Sequence, residues 1–334
     1  GGGRGRPRRL SSASVPHPHR YRAFLLDMDG VLHQFGRAVP GAAEFLGTLA
    51  RESIPFTVIT NECRYTREGL SEKLGEVLGV SVPVGQIYTA ANSVGDFLAE
   101  HIRRGWVGNV FVIGEAGVLA AVEGALERCP GAQVLRGAAG ERPGLHCDFV
   151  VVGTVATGGP NDSWTFAEAA CTHLRNGAKL VYSNPDWFEV TAAGDYKFGC
   201  PMPTVNLLTQ VTGCRAYNLG KPNPYMLRRA QSQMVDSILQ PLSESQRSFV
   251  HGQIDPSDVL FVGDSIDTDL RMAVENGIDA ALVLSGTSTL RGLAACAIQP
   301  EFVFDSIRHL HEAFQDGTLQ KGTPNFRIQA SGAA

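Results

Sequence analysis

The chain predicts an α/β fold: a parallel sheet with helices on its faces and a second α/β unit inserted partway along. Two observations carry this. Short β-branched or aromatic runs alternate with longer amphipathic stretches, the pattern of βαβ units. Four of the apolar runs end in polar groups: AFLL in Asp27-Met28-Asp29-Gly30, FTVI in Thr60-Asn61, YNLG in Lys221 and DVLFVG in Asp264. Ligands of open parallel sheets sit beyond the carboxyl ends of the strands. Read this way, all four runs point at one site.

The elements follow in order. YRAFLLD reads as a first strand, GAAEFLGTLARES as a helix and IPFTVIT as a second strand. TREGLSEKLGEVLG is a helix that Thr66 can cap, QIYTA a short strand and NSVGDFLAEHIRR a helix. Towards the carboxyl end DVLFVGD is a strand, TDLRMAVEN a helix stopped by Gly277 in the left-handed position, and DAALVLS another strand. Right-handed crossovers would set these strands side by side.

Composition bounds the function. The 334 residues suffice for two cores, and 43% hydrophobic with 19% charged residues is ordinary globular usage. A formal charge of −4 argues against a nucleic-acid partner. No apolar run approaches the roughly 18–20 residues that span a bilayer, so no membrane partner is expected. Seven cysteines, an odd number without C-x-x-C spacing, read as reduced thiols of a soluble intracellular, cytoplasmic protein. Residues 1–20, rich in Arg, Ser, Gly and Pro, are expected to be disordered. They have the composition of an organelle transit segment or a vector-derived leader, and a native leader would point to a mitochondrion or plastid. Residues 316–334 read as a flexible tail.

The polar groups suit phosphoryl transfer. A carboxylate attacks an anionic phosphate only if a divalent cation offsets their repulsion. Asp27 is placed as nucleophile, and Asp27, Asp29, Asp264 and Asp269 are the candidate metal ligands. Mg²⁺ is the expected cofactor because it prefers hard oxygen donors. Asp29, two residues along an extended segment, points to the same side as Asp27 and suits a general acid and base. Thr60 and Asn61 offer a hydroxyl and an amide to phosphoryl oxygens, and Lys221 offers positive charge.

DMDGV, TN, GKPNP and GDSIDTD, in this order across residues 22 to about 310, resemble the four motifs of the haloacid dehalogenase superfamily of phosphatases. The resemblance implies hydrolysis of a phosphate monoester through an aspartyl-phosphate. Thirty-three residues between Asp27 and Thr60 leave no room for a cap, whereas 161 between Thr60 and Lys221 do. A cap there resembles the NagD, 4-nitrophenylphosphatase, and pyridoxal phosphate and phosphoglycolate phosphatase subfamily, as do VPGAAEFL, DFVVVG, GAKLVYSNPD and LVLSGTSTL.

The implied architecture is a Rossmann-like parallel-sheet core at 21–104 and 214–315, with an α/β cap at 105–213 between the second and third motifs. Asn184 and Asp186 fall where relatives place substrate-binding groups, as do Trp164, Trp187 and Phe188, for which core packing is nearly as good a reading. The implied partners are a small phosphorylated metabolite and, through the cap, a second copy in a homodimer.

Two features depart from the pattern. Glu62-Cys63-Arg64 follows the TN pair, and Glu62 is expected to turn its charge away from the phosphate. Residues 239–254 read as an added surface loop. A silent scaffold that keeps the fold, or a phosphomutase, are the alternative functions. Cys63 reads as a buried small side chain and His33 as an exposed loop histidine.

Overall fold

The computed structural model describes residues 20–137, 145–156, 158–159, 164–239 and 255–326. The leader to residue 19 and residues 240–254 of the added segment lie outside the described residues.

The chain opens with β1 (Ala23–Leu26), a flap hairpin β2 (His33–Gln34) and β3 (Arg37–Ala38), α1 (Ala42–Arg51), β4 (Phe56–Thr60), α2 (Arg67–Leu78), β5 (Ile87–Thr89) and α3 (Ala90–Arg103). Thr66 caps α2 by accepting from the Gly69 amide at 3.2 Å, and Thr89 forms a reciprocal box with Asn92 at the start of α3. A second set follows: β6 (Val110–Ile113), α4 (Ala116–Leu126), β7 (Val134–Leu135), β8 (Phe149–Val152), α5 (Trp164–Arg175), β9 (Lys179–Tyr182), a hairpin of β10 (Glu189–Val190) and β11 (Tyr196–Lys197), α6 (Pro201–Thr212) and β12 (Ala216–Asn218). Then α7 (Pro224–Leu239) leads to β13 (Val259–Gly263), β14 (Asp279–Val283) and β15 (Phe302–Phe304), with the helix Ile307–Gln315 last. No helix among the described residues is long and apolar enough to cross a membrane.

Two parallel sheets result, ordered β15-β14-β13-β1-β4-β5 and β12-β9-β8-β6-β7. In the first, β1 is central, pairing Phe24 with Leu260 on one side and with Phe56 on the other. Its alternate residues face opposite layers. Phe24 and Leu26 pack with Phe45 of α1, Leu74 of α2 and Phe314 of the last helix, and the Phe24–Phe45 rings meet edge to face at 5.3 Å. Ala23 and Leu25 face a layer that includes Val94 and Leu98 of α3 and Met226 of α7. That layer continues into Val112, Val151 and Val181 of the second sheet. One apolar cluster therefore underlies both sheets.

Three placements differ from the sequence reading. The YNLG run does not join the first sheet: β12 pairs in parallel with β9 at the edge of the second, so that sheet extends to Asn218. The stretch expected as one helix from Thr268 opens with a π turn over Ile266–Leu270 before regular helix at Arg271–Glu275. The tail is tied down as far as Phe326. Leu319 is buried, and the Asn325 side chain accepts from the Val303 amide at 2.8 Å and donates to its carbonyl at 3.1 Å. Because β15 is an edge strand, Asn325 covers groups that would otherwise be open to pairing.

Candidate active site

Asp27 ends β1, and its amide is held by the Val262 carbonyl at 2.8 Å, so the carboxylate stands at the carboxyl end of adjacent parallel strands. Asp264 ends β13 beside it. Asp269 reaches back from the π turn, its Oδ2 accepting the amides of Asp264 and Ser265 at 3.1 Å each. Oxygens of Asp27, Asp264 and Asp269 lie within 4.8 Å of one another, all three buried. Lys221, 2% exposed, places Nζ 2.5 Å from Asp27 Oδ1 and 2.7 Å from Asp269 Oδ1.

Three carboxylates against one ammonium leave excess negative charge in a dry place, and the donors are all hard oxygens. That set fits a divalent cation. The electrostatics agree. Burial pushes Asp27 well above the usual carboxylate range, with Asp269 adding to the shift and Lys221 opposing it. Burial and Asp269 likewise raise Asp264. Burial alone would lower Lys221, but Asp269 and Asp27 overcome it and hold the ammonium charged.

The loop after β14 completes the cradle, and sequence reasoning assigned no role to its residues. Thr287 donates its amide to Asp264 Oδ2 at 2.6 Å, and Ser285 Oγ donates to the Gly30 carbonyl at 2.6 Å. A Cβ on Gly286 would stand 1.9 Å from Asp264 Oδ2. The available signal was the Ser-Gly-Thr run closing a buried strand.

Asp29 stands apart from the three-carboxylate cluster. Its side chain is 63% exposed. Desolvation by the groups around it, with Glu62 nearby, pushes its carboxyl up to about 7, while Lys221 pulls the other way. His33 is buried rather than exposed, its Nε2 3.7 Å from Asp29 Oδ1.

Thr60 ends β4, buried, its hydroxyl accepting the Glu62 amide at 3.0 Å. Asn61 is a hub: its Oδ1 accepts the Lys221 amide at 2.8 Å and its carbonyl accepts Asn184 Nδ2 at 2.8 Å. Asn184 also accepts the Asp186 amide at 3.1 Å, so its side chain is engaged in joining the two sheets' units. Burial raises the Asp186 carboxyl to about 6, against the pull of Lys221 and of the Asn61 side chain. Trp164, Trp187 and Phe188 are exposed, which excludes the core-packing reading. Cys63 is buried against Thr154 and Ser183, and desolvation lifts its thiol to about 11, as an inert packing residue requires. Glu62 turns its carboxylate onto Arg64.

A family model described as haloacid dehalogenase-like hydrolase matches residues 24–125, and a second haloacid dehalogenase-type hydrolase model matches 218–310. Asp27, Asp29 and Thr60 fall in the first stretch, and Lys221, Asp264 and Asp269 in the second. Dihydroxyacetone phosphatase of Corynebacterium glutamicum is 29% identical over 294 residues, covering 88% of this chain and 92% of that one. The ribonucleotide monophosphatase NagD of Escherichia coli is 26% identical over 286 residues, 86% of this chain and 96% of its own. NagD's solved structure matches with a TM-score of 0.69 at 25% identity, covering 86% of this chain and 98% of that one. A glycerol phosphate phosphatase of Mycobacterium tuberculosis, solved in complex with magnesium, shares the fold at a TM-score of 0.69 and 22% identity, covering 89% and 78%. The chain belongs to the haloacid dehalogenase-like hydrolases, in the group that holds NagD and the 4-nitrophenylphosphatases.

Proposed function

We propose that this protein is a phosphatase that hydrolyses a phosphate monoester of a small metabolite through an aspartyl-phosphate on Asp27. The observation that carries the reading is Lys221 Nζ between Asp27 and Asp269 beside Asp264, with the Asp29 side chain exposed two residues along from Asp27. The named activities of the relatives, on dihydroxyacetone phosphate, ribonucleotides and sugar phosphates, support the substrate class.

Asp27 attacks phosphorus in line with the ester oxygen, forming one P–O bond as the ester bond breaks. Asp29, its carboxyl raised to about 7, gives its proton to the departing oxygen. As a carboxylate it then takes a proton from the water that attacks phosphorus, and the bond to Asp27 breaks as phosphate leaves. Lys221 stabilises the charge on the transferring group, with Thr60 beside it. Asn61 fixes the Lys221 backbone and the Asn184 side chain rather than serving only as a phosphate donor. Mg²⁺, held by Asp27, Asp264 and Asp269, would offset the repulsion between nucleophile and phosphate.

The unit at 105–213, whose sheet runs on to Asn218, is proposed as the cap that excludes bulk water from a core formed by 21–104 and 214–315. A cap over the site restricts substrates to small molecules. Phosphate release from sugar phosphates, nucleoside monophosphates, phosphoglycolate, pyridoxal phosphate and 4-nitrophenyl phosphate, with Mg²⁺ or a chelator, tests the reading. Metal-dependent release from at least one is expected; a folded, metal-binding protein that releases none contradicts it.

A further inference from the structure

Arg64 links the loop after β4 to the hairpin of the second sheet's unit. Its Nε lies 3.1 Å from both Glu62 oxygens and its Nη2 2.5 Å from Glu62 Oε2. On its other side Nη1 is 3.2 Å from Glu189 Oε2 and Nη2 3.0 Å from Glu189 Oε1. Each carboxylate meets the guanidinium at two points, the geometry in which arginine is strongest and lysine cannot replace it.

The two ends of this strut differ. Glu62, with a side chain 6% exposed, also accepts the amides of Cys63 and Arg64 at 2.9 and 2.7 Å, so it is anchored to the loop that begins at Thr60. Glu189, 38% exposed, opens the hairpin at β10. That hairpin is a sheet of two strands on its own, and such a pair is marginal without outside support. It carries an exposed aromatic pair, Phe188 and Tyr196, whose rings meet edge to face at 4.7 Å.

The hairpin stands beside the site. Asp186, three residues before Glu189, donates its amide to Asn184 Oδ1 at 3.1 Å, and the Asn184 side chain donates to the Asn61 carbonyl at 2.8 Å. Phe188 adjoins Glu189 and Tyr196 pairs with Val190, so moving Glu189 moves the aromatic pair.

We propose that Arg64 is a positioning residue: clamped between Glu62 and Glu189, it sets the stance of the 189–197 hairpin and of the Phe188–Tyr196 wall against which an ester's leaving group binds. The proposal rests on the phosphatase reading and deepens it. It also assigns Arg64 away from recognition of a second anionic group on the substrate, because Glu62 and Glu189 already occupy both sides of the guanidinium.

Glu189→Ala, Arg64→Lys, Arg64→Met and the Arg64→Met/Glu189→Ala double variant, assayed with 4-nitrophenyl phosphate and phosphoglycolate, test it. Loss of two charge-assisted bonds at a partly exposed site should raise KM for 4-nitrophenyl phosphate about tenfold in Glu189→Ala, with kcat within about twofold. Arg64→Lys should fall between wild type and Arg64→Met, and the double variant should be no worse than Arg64→Met alone. Amides of 189–197 should exchange with deuterium faster in Glu189→Ala.

An unchanged KM, additive losses in the double variant, or unchanged exchange would overturn the proposal. A loss confined to phosphoglycolate would overturn it in favour of anion recognition. Glu189 is the partly exposed end, so its variant keeps the test informative if Arg64→Met does not fold. If the wild type hydrolyses no ester, the phosphatase reading fails, and hydrogen exchange alone still decides whether the strut holds the hairpin.

Discussion

Lys221 has two carboxylate oxygens within 2.7 Å and almost no contact with water. Removing its charge leaves Asp27 and Asp269 buried without an opposite charge, which in other proteins costs about 3–5 kcal/mol. Lys221→Met should therefore lower unfolding free energy by about that amount in urea melts with chelator present, and a loss under about 1 kcal/mol would contradict the arrangement. Gly286 makes a different prediction. Because its missing Cβ leaves room for Asp264 Oδ2, Gly286→Ala should weaken Mg²⁺ binding about 10–100-fold by calorimetry, as outer-shell changes at metal sites do. Unchanged affinity would remove Asp264 from the metal set. Asp27, Asp264 and Lys221 were legible because each closes an apolar run. The Glu62–Arg64–Glu189 strut was not, because its ends are separated by more than a hundred residues and local pattern carries no trace of that pairing. His33 was misread for a related reason: a polar residue in a tight flap looks exposed until its neighbours in the fold are known.

At the scale of elements, α1 packs against the helix Ile307–Gln315 through a buried polar contact, Thr48 Oγ1 to His311 Nε2 at 2.9 Å. Burial holds His311 below the usual histidine range of about 6.5. The unfolded chain thus binds a proton more readily than the folded one. The contribution is fully present above about pH 6.5 and is lost as pH falls towards the lower folded value. Wild type should lose more stability than His311→Gln between pH 7.5 and 5.5, about the ordinary histidine value; equal losses would assign the acid sensitivity elsewhere. The start of α4 makes a close contact with the loop after β4: the Gly117 and Val118 amides donate to the Arg64 and Cys63 carbonyls at 2.9 and 3.1 Å. A Cβ on Gly117 would lie 2.2 Å from the Tyr65 carbonyl oxygen. Gly117→Ala should cost about 1–3 kcal/mol in thermal or chemical melts, and a neutral result would mean that this approach is looser than described. Most elements were readable from period and caps, Thr66 and Gly277 included. The strand before Lys221 was assigned to the wrong sheet because three residues with half-open sides state a strand and not its neighbour.

At the scale of the molecule, the apolar cluster shared by both sheets and the stitching of Asn61 and Cys63 to the second unit make the site a product of two layers rather than of one sheet. The motif spacing made the inserted unit legible. It did not show that the carboxyl ends of the second sheet's strands lie against the loop after β4, since that depends on contacts between Cys63, Thr154 and Ser183 far apart in the chain.

The central claim is that Asp27 carries the phosphoryl group. Acid-quenched enzyme, mixed with its best ester and Mg²⁺ and mapped by mass spectrometry, should show a phosphoryl adduct on the peptide containing Asp27, absent in Asp27→Asn along with turnover. Steady phosphate release by Asp27→Asn, or an adduct on another residue, would contradict the account.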